Sequence, residues 1–181
     1  SGDFYDINTV QDINITFPND NWQNDLDSLR YNGSGLFLGK VDINDQTFNN
    51  VGVRFRGSKS FQPGAKRNAL HIKLNYIDKR QNIQGHQTIK LSTALRDPSM
   101  VREVLSYEIA RNYMPAPKAN YARVTVNGEV YGLFVNVEAV DENFLNKQYG
   151  SSENAFFKVN QNAGEDTPAG CQNKIFGSLE H

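Results

Sequence analysis

The chain has 181 residues, 19 of them basic and 20 acidic, which gives a formal net charge of −1. Hydrophobic residues make up 38% and aromatic residues 11%, which is enough for the core of one domain and too much for a disordered chain. The balanced charge argues against a nucleic-acid-binding protein. The single cysteine, Cys171, excludes an internal disulfide and a multi-cysteine metal site, and no apolar run reaches the roughly 18 residues that a membrane span needs.

The first half of the chain alternates apolar and polar residues in short runs, as half-buried β-strands do. A short helix is predicted between Asp20 and Gly33, because Asp20 can cap its start and Gly33 can end it. A polar segment with two glycines, residues 57–67, is predicted to be a loop. The alternation predicts five strands, at residues 13–17, 36–43, 51–56, 70–74 and 88–92.

The longest helix is predicted at residues 98–113. Pro98 suits a first helical turn, and Asp97 can cap it. Pro115 and Pro117 would end the helix. The helical spacing predicts one apolar face, formed by Val101, Leu105 and Ile109.

The second half of the chain contains the clearest hairpin signal, Asn127-Gly128 between two alternating runs at 121–126 and 129–137. The elements predicted after it are a helix at 141–149, a strand at 156–159, a polar segment at 161–174, and a C-terminal Leu-Glu-His at 179–181 that resembles the start of a histidine tag. The whole pattern predicts an α+β fold, an antiparallel sheet with one long packed helix and further short helices.

The loop at 57–67 is the first candidate for chemistry, because backbone amides of glycine loops can hold phosphate and basic side chains can neutralise it. Basic residues lie in and beside the loop: Arg54, Arg56, Lys59, Lys66 and Arg67. The spacing of Gly57 and Gly64 is not that of a Walker A motif. A solvated hairpin loop is the alternative, and charge alone favours it.

Three acidic residues are the next candidates. Glu103 or Glu108 on the long helix could pair with a cation on the sheet, or either could be an exposed helix charge. Glu138 ends the second hairpin strand and could bind a ligand amine or hydroxyl, although such a carboxylate more often caps the next helix. His71 alternates with buried-type residues and is predicted to be exposed and passive.

In order and spacing, four stretches of the sequence resemble the spore-coat-protein-H (CotH) kinase family, over about residues 36–160. The four are Gly52-Val53-Arg54-Phe55-Arg56-Gly57-Ser58-Lys59-Ser60, Asp97-Pro98-Ser99-Met100-Val101-Arg102-Glu103, Pro115-Ala116-Pro117 with Tyr121, and the run from Val126 to Glu138 around Asn127-Gly128.

This resemblance implies an N-terminal lobe of an atypical protein-kinase-like fold, which would transfer phosphate from ATP with Mg²⁺ or Mn²⁺ to serine in coat or extracellular proteins. The loop at 57–67 would cover the phosphates. Glu103 or Glu108 would orient a cation, and Glu138 would lie at the hinge near the adenine or ribose. The resemblance implies these nucleotide-binding residues: Arg56, Ser58, Lys59, Lys66, Arg67, Glu103 and Glu138.

No kinase catalytic-loop or Asp-Phe-Gly motif is present, and the only tryptophan is Trp22. We therefore expect this chain to be catalytically incompetent alone, with the metal-binding half elsewhere. The resemblance to the family implies a spore-surface or extracellular location. The expected organisation is an extension at 1–35, the lobe at 36–160, a polar tail or the start of the missing half at 161–178, and a tag remnant at 179–181.

Two alternatives remain open. One is a pseudokinase or an assembly module of a spore-coat or extracellular complex. The other is a carbohydrate-binding β-domain, for which Tyr121, Tyr131 and Phe134 could form an aromatic platform.

Overall fold

Alternating apolar side chains build seven strands that close into a barrel. The computed structural model describes residues 2–33, 35–57, 60–153, 158–159 and 179–180. The barrel strands are β1 (Val10–Thr16), β2 (Phe37–Ile43), β3 (Gln46–Phe55), β4 (Leu70–Lys73), β5 (Thr88–Ser92), β6 (Ala119–Val126) and β7 (Glu129–Glu138). Two further short strands, β8 (Lys158–Val159) and β9 (Leu179–Glu180), pair with each other.

The barrel is closed by its first strand. The strand order is β1-β2-β3-β4-β5-β7-β6, and β6 pairs back onto β1 in parallel, with Val10 opposite Tyr121 and Ile15 opposite Val126. The other neighbours in the barrel pair antiparallel. Closure leaves no open edge in the barrel, and the inward-facing apolar side chains of its strands form a continuous core.

The described residues include three helices, which lie outside the barrel. α1 (Trp22–Tyr31) packs against β2 and β3 and buries Leu26 completely. α2 (Arg102–Ala110) packs on β6, and α3 (Glu142–Tyr149) follows β7. No helix in the described part of the chain has the length and apolarity needed to cross a membrane.

The predicted fold class was wrong. The chain forms a closed barrel of mixed strands, rather than an antiparallel α+β sheet with one long packed helix resembling a kinase lobe. The parallel β1–β6 pairing joins segments that are far apart in the sequence, and no local sequence pattern predicts such a pairing. The helix predicted at 98–113 has only nine residues, because the preceding residues form a turn in which Met100 has a φ of 57°.

The shorter helix also buries a different face from the one predicted. Val104 is buried and Tyr107 packs with it against the barrel, whereas Val101, Leu105 and Ile109 are 45%, 50% and 52% exposed. Val104 packs in one cluster with Ala119 on β6 and Val137 on β7. The apolar spacing of the helix alone could not determine which side makes these contacts.

Candidate functional site

Three antiparallel strands carry cationic side chains on the outer face of the barrel. Arg54 on β3 is paired with His71 on β4, and His71 is paired with Lys90 on β5, so the three lie side by side across the sheet. Their sequence neighbours, such as Phe55 and Ile72, are buried in the core, which places the cations on the outer face. With Arg56 and Lys73 on the same face, these residues form what we call the cationic row: Arg54, Arg56, His71, Lys73 and Lys90.

The cationic row is half-buried and electrostatically strained. Burial is the largest cause that lowers the pKa of His71, and the positive charges of Arg54, Lys90, Arg56 and Lys73 follow in that order; together they bring it to about 3. Burial also lowers the pKa of Arg56. A surface that holds this many like charges together attracts a polyanion, because an anion would relieve their mutual repulsion.

Helix α2 borders the cationic row. Burial lowers the pKa of Arg56, and the negative charge of Glu103 acts to raise it. The pKa of Tyr107 is raised by burial and by Glu103, and lowered by Arg56. The turn before α2 is fixed by Asp97, whose carboxylate accepts hydrogen bonds from the backbone N–H groups of Ser99 (3.2 Å) and Arg102 (2.8 Å). Asp97 therefore holds the turn before α2, but it is not the predicted N-cap, because the N-cap residue is Val101 and makes no side-chain capping bond.

Two pockets lie at the ends of this surface. One, of about 380 Å³, lies between the loop after β3 and α2, and its lining includes Ser60, Leu95 and Glu103. The other, of about 650 Å³, lies between strands β4 and β5 and the start of α3, and its lining includes Lys73 and Asp141. Lys73 belongs both to the larger pocket and to the cationic row, so the two are continuous.

The loop at 57–67 is held by α1. The carboxylate of Asp27 accepts a hydrogen bond from the Gly64 N–H at 3.0 Å, and the Arg30 guanidinium donates one to the Gly57 carbonyl at 2.9 Å. Arg30 also lies over the ring of Phe61, 5.7 Å from its centroid. Helix α1 thus holds the loop at Gly57 and at Gly64. The predicted phosphate contacts Ser58 and Lys59 lie outside the described residues.

The last two residues of this loop, Lys66 and Arg67, are basic but do not belong to the cationic row. Arg67 donates a hydrogen bond to the Leu133 carbonyl at 3.2 Å and lies 5.5 Å from the centroid of the Phe134 ring. It packs so closely on Gly132 that a Cβ there would lie 2.9 Å from its guanidinium. Arg67 therefore fastens the loop to β7, while Lys66 is exposed.

Glu138 does not join the cationic row. It is 3% exposed, and it is paired with Ile89, whose side chain points into the core. Its carboxylate accepts a hydrogen bond from the Lys118 N–H at 2.9 Å and lies 3.9 Å from His86 Nδ1. The buried ring of Tyr5 packs edge-on against His86. The structure thus places Glu138 in a polar cluster beside the N-terminal segment, away from Arg56.

The two alternative helix carboxylates also separate. Glu103 faces Arg56, while Glu108 forms an ion pair with Arg111 on its own helix. Within the described ranges, no three His, Cys, Asp or Glu side chains come together in an arrangement that could hold a metal ion. Of the predicted site residues, the structure brings Arg56 and Glu103 together.

Comparison with known proteins supplies the family. The family model described as "CotH kinase protein" matches residues 53–177. The chain belongs to the CotH kinase protein family. This confirms the resemblance inferred from the sequence motifs.

The chain is also similar to the inner spore coat protein H of Bacillus subtilis (strain 168), with 29% identity over 133 residues. That match covers 72% of this chain and 35% of the relative. The chain therefore spans about a third of the length of that relative.

Most residues of the cationic row were not predicted from the sequence to act together. The interpretation of the sequence concerned the loop at 57–67 instead. It treated Arg54 as part of the loop cluster, predicted a passive role for His71, and assigned none to Lys73 or Lys90. The signal was present, because each cation alternates with core residues on one of three predicted strands. Recognising it requires the strand register, which places the three strands side by side.

Proposed function

We propose that this domain binds ATP through its cationic row and serves as the nucleotide-binding part of a CotH-type protein kinase. The observation that carries the proposal is the register of Arg54, His71 and Lys90, which puts cations on three adjacent strands at one half-buried surface. A triphosphate presents several negative charges in a line and matches such a surface. Membership of the CotH kinase protein family supports the same assignment.

The two pockets suggest how the nucleotide lies. The larger pocket, about 650 Å³, has room for a nucleoside and offers the side chains of Asn75 and Thr88 as hydrogen-bonding partners. Because Lys73 lies in both the pocket and the cationic row, a nucleoside there would direct its phosphates along the row. Glu103 would then offset the positive charge of Arg56 at the other end of the cationic row, beside the loop held by α1.

Phosphoryl transfer also needs carboxylates that hold Mg²⁺ or Mn²⁺ and one that orients the acceptor hydroxyl. The described residues do not supply a set of metal ligands. In our proposal these groups come from polypeptide outside the described residues, and this domain alone is inactive. The match covers 35% of the spore coat relative, so a protein of that length has room for them.

The proposed acceptor is a serine in a coat or extracellular protein, and the proposed location is the spore coat or another cell surface. The likeness to an inner spore coat protein supports this location. A second candidate, an assembly module without phosphoryl transfer, is compatible with the same relative and is separated from the first by experiment.

The test is phosphoryl transfer by the full-length protein. Intact mass is measured after incubation with ATP and Mg²⁺ or Mn²⁺, with a serine-rich acceptor present. We expect phosphate-sized mass gains, reduced about tenfold or more in rate by Arg54→Gln, because a hydrogen bond to a charged group contributes about 1.5–3 kcal/mol. The matched control is Arg80→Gln, which removes a highly exposed cation elsewhere on the surface.

Mass gain that is equal in wild type and Arg54→Gln would contradict the role of the cationic row. No transfer and no ATP binding in wild type would contradict the kinase assignment and favour the assembly module.

A further inference from the structure

His71 occupies the centre of the cationic row. It is paired with Arg54 on one neighbouring strand and with Lys90 on the other. Lys73 lies two residues along the same strand and therefore on the same face. Arg56 lies beyond the end of β3, and its charge also reaches the imidazole.

Among these five side chains, the imidazole is the one whose charge can change near neutral pH. In the free protein, burial and the surrounding cations lower the pKa of His71 to about 3, so the ring is neutral at pH 7. Two acidic groups on α2, Glu103 and Tyr107, act on the pKa of Arg56, and neither is among the groups that shift the pKa of His71. The imidazole therefore faces cations on its own strand and on both neighbouring strands.

A bound polyphosphate would favour protonation of His71. Its negative charges neutralise the cations that oppose protonation, and a phosphate oxygen accepts a hydrogen bond from a charged imidazole better than from a neutral one. Binding of phosphate and protonation of the ring therefore favour each other, and linkage makes the effect reciprocal. Resting on the proposed function, we propose that ATP binds with His71 in its protonated form, so that binding takes up a proton from solution.

This coupling would make nucleotide affinity depend on pH through one residue. The binding constant would rise as the pH falls, by at most about tenfold per pH unit, which is the limit for uptake of one proton. Removing the imidazole would abolish the pH dependence of nucleotide affinity. A permanent cation at the same position would keep binding strong and independent of pH.

The experiment is isothermal titration of the full-length protein with Mg²⁺-ATP at pH 6.5, in two buffers that differ in ionisation enthalpy. The difference in observed heat gives the number of protons taken up. Bound Mg²⁺ keeps the nucleotide phosphates deprotonated, so uptake reports on the protein. We expect uptake in wild type, none in His71→Gln, and pH-independent binding in His71→Lys.

The matched control is His86→Gln. His86 is the other histidine among the described residues and packs against Tyr5 and Glu138. We expect this variant to retain the wild-type proton uptake, which would show that the uptake belongs to His71.

The outcomes separate the two proposals. ATP binding in wild type without proton uptake, or uptake that persists in His71→Gln, would overturn the proton coupling and leave the proposed function standing. Absence of ATP binding in wild type would overturn both. If His71→Gln fails to fold, the imidazole proton resonance of wild-type His71 answers the question, because it should shift toward the charged form when Mg²⁺-ATP is added at pH 6.5. An unchanged resonance in the bound state would refute the coupling.

Discussion

His71 should make the free protein sensitive to acid. The folded state holds the pKa of His71 at about 3, while the unfolded chain restores it to about 6.5. The unfolded state therefore binds a proton that the folded state excludes. The resulting stability is fully present above pH 6.5 and is lost progressively as the pH falls toward 3.

The size of this loss follows from the pKa difference. At pH 4.5 the solution is two units below the unfolded pKa and still above the folded one, so the loss is about 2.7 kcal/mol at 1.36 kcal/mol per unit. The assay is urea unfolding at pH 7.5 and pH 4.5, for wild type and His71→Gln. Other acid-sensitive groups act equally in both proteins, so the difference between them isolates His71.

We expect the free energy of unfolding of wild type to fall by about 2–3 kcal/mol more than that of His71→Gln between the two pH values. If both proteins lose the same stability, His71 is not held neutral by its surroundings. The electrostatic description of the cationic row would then be wrong.

Three further predictions concern the scaffold. Asp141→Ala removes the side chain that accepts the Phe144 N–H, and should cost about 1 kcal/mol in urea unfolding; an unchanged midpoint would mean that this cap contributes nothing. Leu26→Ala should cost about 2–5 kcal/mol, because the side chain is fully buried where α1 meets the barrel, and a loss below 1 kcal/mol would argue against that packing. Arg30→Met removes the donor to the Gly57 carbonyl and should accelerate hydrogen exchange in the loop at 57–67, whereas exchange at the wild-type rate would show that α1 does not hold the loop.

Local features of the fold could be predicted from the sequence. The strands β4 and β5 and the Asn127-Gly128 hairpin follow from alternation and turn chemistry within a few residues. Closure of the barrel could not be predicted, because the parallel pairing of β1 with β6 depends on contacts between distant segments.

The candidate site shows the same division. Arg56 could be selected from the sequence because its motif is local. The structural role of Arg67 could not be predicted, because it depends on close packing against Gly132, which lies in a strand far along the chain. His71 was predicted to be exposed, but it is half-buried between Arg54 and Lys90, which become its neighbours only after the strands pair.

The most direct test of the proposed function is a structure of the full-length protein with Mg²⁺ and a non-hydrolysable ATP analogue. We expect the phosphates to lie on the outer face of the barrel, within hydrogen-bonding distance of Arg54 and His71, with the nucleoside in the pocket beside Lys73. Phosphates bound beside Glu138, or away from strands β3 to β5, would contradict the assignment of the cationic row as the nucleotide site.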